Sequence, residues 1–423
     1  MATSPRSLAG WLEYIERQHP SAIALGLERV REVAARLGLQ RPAAQVITVA
    51  GTNGKGSTVA FVEAIARAGG WKVGAYTSPH LLRYNERVRI DGAEVSDAAL
   101  AEAFAAVEAA RVDTPLTYFE YGTLAALWLF QRAGLDLAVL EVGLGGRLDA
   151  VNAVDPDVAV ITTVDIDHTD WLGADREAIG REKAGIARPW KPLVLGEVDS
   201  PSSVLRHAYA IGANAVRLGS DFFHEPADAA HWRWREVGTE LSLPLPRLAA
   251  PAQQANAATA IAALRALPRT LPEHAFAEGV AAAILPGRLQ RFERGGVEIV
   301  VDVAHNPQAA RGLAAWLQAQ PQADTAAVFA ALADKDVAAI VEPLAGAIAR
   351  WHVAGLEDVA RGQDVAAFAA RLSATAAGSA SRDAHVADAL ARAVREATPG
   401  GRVLVFGSFH TAAAALGWLH SGQ

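Results

Sequence analysis

At 423 residues the chain exceeds a single core, since domains run to roughly 100–200 residues each, and two or three are expected. Hydrophobic residues at 51% and charged residues at 20% form an ordinary globular balance that argues against disorder. A net charge of −7 with no basic stripe argues against nucleic acid, and the lack of cysteine removes disulfides, thiolate metal sites and cysteine nucleophiles together.

Residues 1–18 alternate charge with Trp11, Leu12 and Ile15 and lack the apolar core of a signal peptide. No apolar run reaches the ~18 residues of a membrane span, so a soluble cytoplasmic protein is expected. From residue 45 strand-like and helix-like stretches alternate. Residues 45–50 (QVITVA) predict a buried strand, followed by a Gly-rich loop and a helix over 57–68. Further strands are predicted at 72–76, 137–142, 158–164 and 192–195, with helices at 97–110 and 121–133 between them. That alternation predicts an α/β fold with a mostly parallel sheet. Beyond residue 201 the pattern loosens into a Trp-rich edge hairpin at 231–246 and an Ala-rich helix at 253–267. Alternation restarts after the linker-like Leu285-Pro286-Gly287-Arg288, with strands at 298–303, 325–331, 351–354 and 403–406. The expected domains are 1–285, a P-loop unit, and 286–423, a smaller Rossmann-like α/β unit.

Only five of the 39 basic residues are lysines (55, 72, 183, 191 and 335). A lysine inside a motif therefore hints at chemistry that arginine cannot do, as a compact point charge or a reactive amine. Gly51-Thr52-Asn53-Gly54-Lys55-Gly56-Ser57 follows a strand and opens a helix, the layout that cradles phosphates on backbone N–H groups. Lys55 would reach the β/γ-phosphates and Ser57 would sit near Mg²⁺. The spacing departs from the general pattern because Gly56 separates Lys55 from the hydroxyl; an ordinary glycine-rich turn is the alternative.

Glu141 falls at the carboxyl end of a predicted strand, where open sheets bind ligands, and could hold Mg²⁺ or serve as a salt-bridged cap. His168 stands among Asp165, Asp167 and Asp170 beyond the next strand, and a structural histidine fits as well as a ligand. In a helix over 175–186, Lys183 shares the inward stripe of Ile179 and Ile186. A buried ammonium needs a carboxylate partner, or its amine can lose a proton and add CO₂ to become an anionic carbamate. Both readings remain open. In the second unit Asp302-Val303-Ala304-His305-Asn306-Pro307, Ala331–Asp336 and Gly407-Ser408-Phe409-His410 all follow predicted strands on one presumed edge.

Together these stretches resemble the folylpolyglutamate synthase/dihydrofolate synthase family of Mur-ligase-like ATP-dependent amide ligases. The resemblance rests on GTNGKGS (51–57), TSPHL (77–81), NERVRIDG (85–92), LTYFE (116–120), EVGLGGRLDA (141–150), DHTDWLG (167–173), EKAGI (182–186), PGR (286–288), DVAHNP (302–307) and GSFHT (407–411). Val151, where the family commonly has Thr, is expected to be a mild packing change. The resemblance implies that Thr52, Asn53, Gly54, Lys55, Gly56 and Ser57, with Asn256, Arg288 and Asp302, bind ATP. It implies two Mg²⁺ ions on Ser57, Ser78, Glu141, His168 and a carbamylated Lys183, and a pteridine site at Ala24, Leu25, Gly26, Thr117, Tyr118, Phe119, Glu120 and Leu148. Lys55, Lys183, His168 and His305 would be catalytic.

The implied activity joins L-glutamate to dihydropteroate and to reduced folates through an acyl phosphate, in a monomer whose smaller domain closes on the nucleotide. The alternatives are a peptidoglycan-type Mur ligase and a regulatory P-loop nucleotide binder. The first usually carries an extra N-terminal domain for which a phosphate loop at Gly51 leaves no room. The second needs guanine-reading motifs that are not found.

Overall fold

A parallel strand covered on both faces must be apolar throughout, and the run QVITVA meets that demand. In the computed structural model, which describes residues 6–19, 21, 23–359 and 361–421, it forms β1 (Gln45–Ala50), buried along its whole length. Chain contacts divide the protein into two units, Met1–Arg247 with Gln253–Ile284, and Leu248–Ala252 with Leu285–Gln423.

The strands that follow in the first unit are β2 (Val73–Tyr76), β3 (Val88–Ile90), β4 (Ala93–Glu94), β5 (Leu137–Glu141), β6 (Val158–Ile161), β7 (Pro192–Leu195) and β8 (Asn214–Arg217). Among the described residues they form an eight-stranded sheet of order β4-β3-β2-β5-β1-β6-β7-β8. All neighbours pair in parallel except β2–β3 and β3–β4, a short antiparallel extension that sequence reading did not foresee. The register sets Val49 opposite Glu141, Ala50 opposite Ile161 and Tyr76 opposite Leu140. The loops after β1, β2, β5 and β6 therefore leave the same sheet edge.

The Trp-rich segment forms the expected hairpin, but as part of a separate sheet with a third strand. β9 (Phe222–Pro226), β10 (His231–Glu236) and β11 (Thr239–Pro244) make a separate antiparallel sheet with β10 central. Trp232 and Trp234 alternate onto its buried face, and their indole N–H groups donate to Pro244 O at 2.9 Å and Ala258 O at 3.1 Å. Those satisfied donors let two large rings be buried without penalty.

Helix limits follow local capping. Lys55–Ala68 begins two residues earlier than expected, because Gly54 in a left-handed conformation (φ 85°) ends the loop. Tyr118–Ala133 also begins early: Thr117 Oγ1 accepts from Glu120 N at 3.3 Å while a Glu120 carboxylate oxygen accepts from Thr117 N at 2.8 Å. Arg176–Ala184 is capped by Asp175, which accepts from Ala178 N at 2.8 Å.

The second unit holds β12 (Gln290–Arg294), β13 (Val297–Val301), β14 (Thr325–Phe329), β15 (Arg350–Ala354), β16 (Ser381–Asp383) and β17 (Arg402–Phe406), in the order β12-β13-β17-β14-β15-β16. Only β12–β13 is antiparallel. Phe329 stacks on Phe406 at 4.9 Å and meets Phe368 at 5.3 Å inside this core. The α/β class with mostly parallel sheets holds. Among the described residues no helix is long and apolar enough to cross a membrane. The expectation for the N-terminus falls partly on residues 1–5, outside the described residues.

Candidate active site

The phosphate loop is braced from the neighbouring strand end. Thr52 N donates to Thr163 O at 2.7 Å, and Thr52 Oγ1 exchanges bonds with Asp165 O and Asp165 N, each at 3.0 Å. Asn53 N donates to Thr163 Oγ1 at 3.1 Å, while Thr162 Oγ1 donates to Asn53 O at 2.6 Å. Because the helix begins at Lys55, the amides of Lys55, Gly56 and Ser57 lie in its first turn and have no carbonyl four residues back to use. They form the positive end of the helix dipole. Lys55 Nζ is held over the loop by Gly51 O at 3.1 Å and Thr52 O at 3.2 Å.

Asn256 belongs to the helix Gln253–Arg265, which packs on this loop. Its amide nitrogen donates to Gln253 Oε1 at 3.1 Å, and Gln253 Nε2 donates to the buried Ser57 Oγ at 3.2 Å. Gln253 was not singled out from sequence; standing three residues before Asn256 was its only signal. A Cβ on Gly54 would lie 2.5 Å from Asn256 Oδ1, at a φ of +85° that L residues adopt with strain. If this loop holds ATP, as the sequence resemblance implies, Gly54→Ala is expected to raise the KM for ATP about 5- to 30-fold, the equivalent of 1–2 kcal/mol of backbone strain. Steady-state kinetics with varied ATP would check this, and an unchanged KM would remove the glycine's role.

Glu141 ends β5 and is buried, and one of its carboxylate oxygens accepts Ser78 N at 3.1 Å. His168 takes a left-handed conformation (φ 52°) as the residue before the short helix Thr169–Leu172 and lies half-buried, its Nε2 4.0 Å from Asp167 Oδ2. Lys183 is 3% exposed, on the inward side of Arg176–Ala184 with Ile179. Among the described residues it forms no ion pair; burial and the charge of Lys55 push its amine down to about 7, against longer-range attraction from Asp167, Asp149 and Glu197. Of the two sequence readings, the carboxylate-paired ammonium thus finds no partner.

Two acids here were not singled out from sequence. Asp149 is buried, accepts Leu144 N at 2.9 Å and Val151 N at 3.1 Å, and desolvation lifts its pKa to about 7. Glu197 accepts Val164 N at 3.0 Å and is likewise raised to about 7 by burial. Asp149 stands in the glycine-rich run EVGLGGRLDA (141–150), whereas Glu197 carries no local signal. Among the described residues no three His, Cys, Asp or Glu side chains cluster tightly enough to hold a metal.

The residues expected at the pteridine site come together. Gly26 N donates to Leu148 O at 3.3 Å. Arg29 Nη2 donates to both Ala24 O and Glu120 Oε1 at 2.8 Å, tying residues 24–26 to 117–120. Phe119 lies 5.9 Å from Tyr76 and closes over Gly143, where a Cβ would come within 2.6 Å of its ring. Arg29 is a further residue that sequence reading missed.

In the second unit the loops after β13, β14 and β17 leave one edge. The carboxylate of Asp302 accepts Leu289 N at 2.9 Å and Ala304 N at 2.8 Å, and burial raises its pKa despite the opposing charge of Arg288. His305 Nδ1–H donates to Val303 O at 2.9 Å. The Arg288 guanidinium sits 5.3 Å over the Phe409 ring, which also lies 6.0 Å from His305. Thus Arg288, Asp302 and His305 form one cluster.

Comparison with known proteins gives a concordant picture. Residues 49–263 match the Mur ligase middle domain, and residues 287–409 match the Mur ligase glutamate ligase domain. The chain is 49% identical over 414 residues to dihydrofolate synthase/folylpolyglutamate synthase of Escherichia coli (strain K12), covering 97% of this chain and 95% of that protein. A structure of E. coli FolC in complex with DHPP and ADP superposes with a TM-score of 0.94 at 46% identity, covering 100% of both chains. A bifunctional folylpolyglutamate synthase/dihydrofolate synthase with Mn, AMPPNP and L-glutamate bound gives a TM-score of 0.91 at 46% identity over 98% of both.

Proposed function

The chain belongs to the dihydrofolate synthase/folylpolyglutamate synthases of the Mur ligase family, and from that premise we propose how its residues divide the work of an ATP-dependent amide ligase. It joins L-glutamate to dihydropteroate and to reduced folates, using ATP and a divalent cation. The observation that carries this reading is the convergence at one sheet edge of the phosphate loop, Glu141 and the segments at 24–26 and 117–120.

We assign Thr52, Asn53, Gly54, Lys55, Gly56, Ser57 and Asn256 to the nucleotide, and Ala24, Leu25, Gly26, Thr117, Tyr118, Phe119, Glu120 and Leu148 to the pteridine end of the acceptor. Arg288 and Asp302 are assigned as further nucleotide contacts and His305 as catalytic, with residues 286–423 taking L-glutamate. An oxygen of the acceptor carboxylate attacks the γ-phosphorus of ATP and ADP departs, leaving an acyl phosphate. The α-amine of glutamate then attacks the acyl carbon, loses a proton and expels phosphate. Lys55 and the helix N-terminus offset the charge that develops on the transferring phosphoryl group.

Ser57, Ser78, Glu141 and His168 fit a hard divalent cation, with oxygen donors prevailing and a buried carboxylate among them. We propose two Mg²⁺ ions there, with a carbamate on Lys183 adding a second anionic oxygen donor beside the carboxylate of Glu141. The cation supplies charge neutralisation at phosphate oxygens when bound. The free amine that carbamylation needs is favoured by the depressed Lys183 pKa of about 7. The tested outcome is ADP release that requires both L-glutamate and either dihydropteroate or a reduced folate. ADP release indifferent to both would sink the ligase reading.

A further inference from the structure

Among the described residues of the larger unit two basic side chains are buried, Lys183 and Arg87. Lys183 has a proposed role in the ligase reaction, and Arg87 has none. Arg87 is 9% exposed, and its Nε donates to His80 Nδ1 at 2.8 Å. Nδ1 can accept only if that imidazole is neutral, so this partner brings no counter-charge. The guanidinium lies over two rings, 5.2 Å from the centroid of Tyr84 and 5.6 Å from that of Tyr118.

Among the described residues no carboxylate forms an ion pair with Arg87. Nearby acids are engaged elsewhere: Glu86 accepts the backbone N–H groups of Leu81, Leu82 and Arg83 at 2.7 Å each, and Glu63 takes Arg89 at 2.8 Å. A buried cation without a counter-charge is costly, and that cost is removed when a ligand supplies the anion. Two aromatic faces and a neutral histidine pre-orient the group, leaving most of its five donors for such a ligand.

The position of Arg87 narrows the choice of anion. One neighbour, Tyr118, belongs to the segment assigned to the pteridine end. Another is Thr77, whose N–H donates to Arg87 O at 2.9 Å and which precedes Ser78, the residue bonded to Glu141. Arg87 thus lies between the acceptor's ring end and its reacting end. Dihydropteroate carries one carboxylate, and that is the reacting group. A glutamylated folate carries in addition an α-carboxylate close to its reacting γ-carboxylate. We propose that Arg87 binds this α-carboxylate and is therefore a specificity residue for chain extension, dispensable for the first glutamate addition. The proposal rests on the ligase reading above.

The test compares dihydropteroate with tetrahydrofolate as acceptor in the unaltered protein, Arg87→Gln and Arg87→Lys. Arg87→Gln should raise the KM for tetrahydrofolate about 10- to 100-fold, the loss of a charge-assisted hydrogen bond, while dihydropteroate turnover stays within about threefold. Arg87→Lys, which keeps the charge but loses the planar fork, should fall between. A readout that needs no variant is tetrahydropteroyl-4-aminobutyrate, which keeps the reacting carboxyl and lacks the α-carboxylate. The unaltered protein should show the same rise in KM for it, and Arg87→Gln should add nothing further. Equal loss of both acceptors in the variant, or an analogue handled as well as tetrahydrofolate, would overturn the proposal. If the unaltered protein used neither acceptor, the ligase reading itself would fail and this inference with it.

Discussion

Lys183→Ala is expected to lower the rate of glutamate ligation by about 100- to 1,000-fold, the scale on which a single electrostatic contribution at a reacting phosphoryl group or oxyanion acts. The loss should be partly reversed by short carboxylates such as formate or acetate, which can occupy the space vacated by the proposed carbamate. Lys183→Arg should gain nothing, because a guanidinium cannot add CO₂ under these conditions. The pH dependence has a definite sign. The Lys183 pKa is depressed from 10.5 to about 7 in the folded protein, so from about 7 to 10.5 the unfolded chain holds the extra proton. Stability of the unmodified fold therefore rises with pH across that window, and the fraction of free amine rises in the same direction. Carbamate formation should follow, weak below pH 7 and increasing above it, as a ¹³C resonance from labelled bicarbonate that Lys183→Ala lacks. A resonance that persisted in Lys183→Ala, or activity unmoved by the substitution, would rule out the carbamate.

The second large effect falls on Lys55. Its amine lies 3.1 Å from Gly51 O and 3.2 Å from Thr52 O, folded over a loop that leads into the N-terminal first turn of the helix Lys55–Ala68. Lys55→Ala is expected to reduce kcat about 100- to 1,000-fold by removing the charge proposed to act on the transferring phosphoryl group. The KM for dihydropteroate should change little, because the pteridine-end residues are tied together through Arg29 and the Thr117–Glu120 cap instead. Lys55→Arg should recover only a small part, since a planar fork cannot take up a compact ammonium's position between two carbonyls. Single-turnover phosphoryl transfer would separate this from slower product release; a variant within about threefold of the unaltered rate would dismiss the assignment.

Much of this was legible from residue order. Unbroken apolar runs such as QVITVA specify buried strands, and alternation with helical patterns specifies a parallel sheet. Parallel pairing in turn requires the loops after successive strands to leave one edge, which brings Gly51, Ser78 and Glu141 together. The inward stripe of 175–186 marks Lys183 as buried, and it is. What sequence misplaced was local or two-sided. The helices at Lys55 and Tyr118 begin earlier than periodicity suggests, because a left-handed glycine and a capping box set their starts rather than the apolar pattern. The strands at Val88–Ile90 and Ala93–Glu94 are too short and polar to carry a periodic signal, and the Trp-rich sheet gains its third strand from a segment of ordinary composition.

By itself, then, the sequence determined the fold class, the strand–glycine loop–helix at Gly51 and the inward placement of Lys183, because these depend on neighbours along the chain. Only tertiary structure decided that Gln253 links Ser57 to Asn256, that Arg29 joins residues 24–26 to 117–120, and that, among the described residues, Lys183 and Arg87 are buried without an ion-paired carboxylate. Each of those facts joins residues from separate parts of the chain. Burial and charge compensation are set by what packs around a group in three dimensions, and no local pattern encodes them.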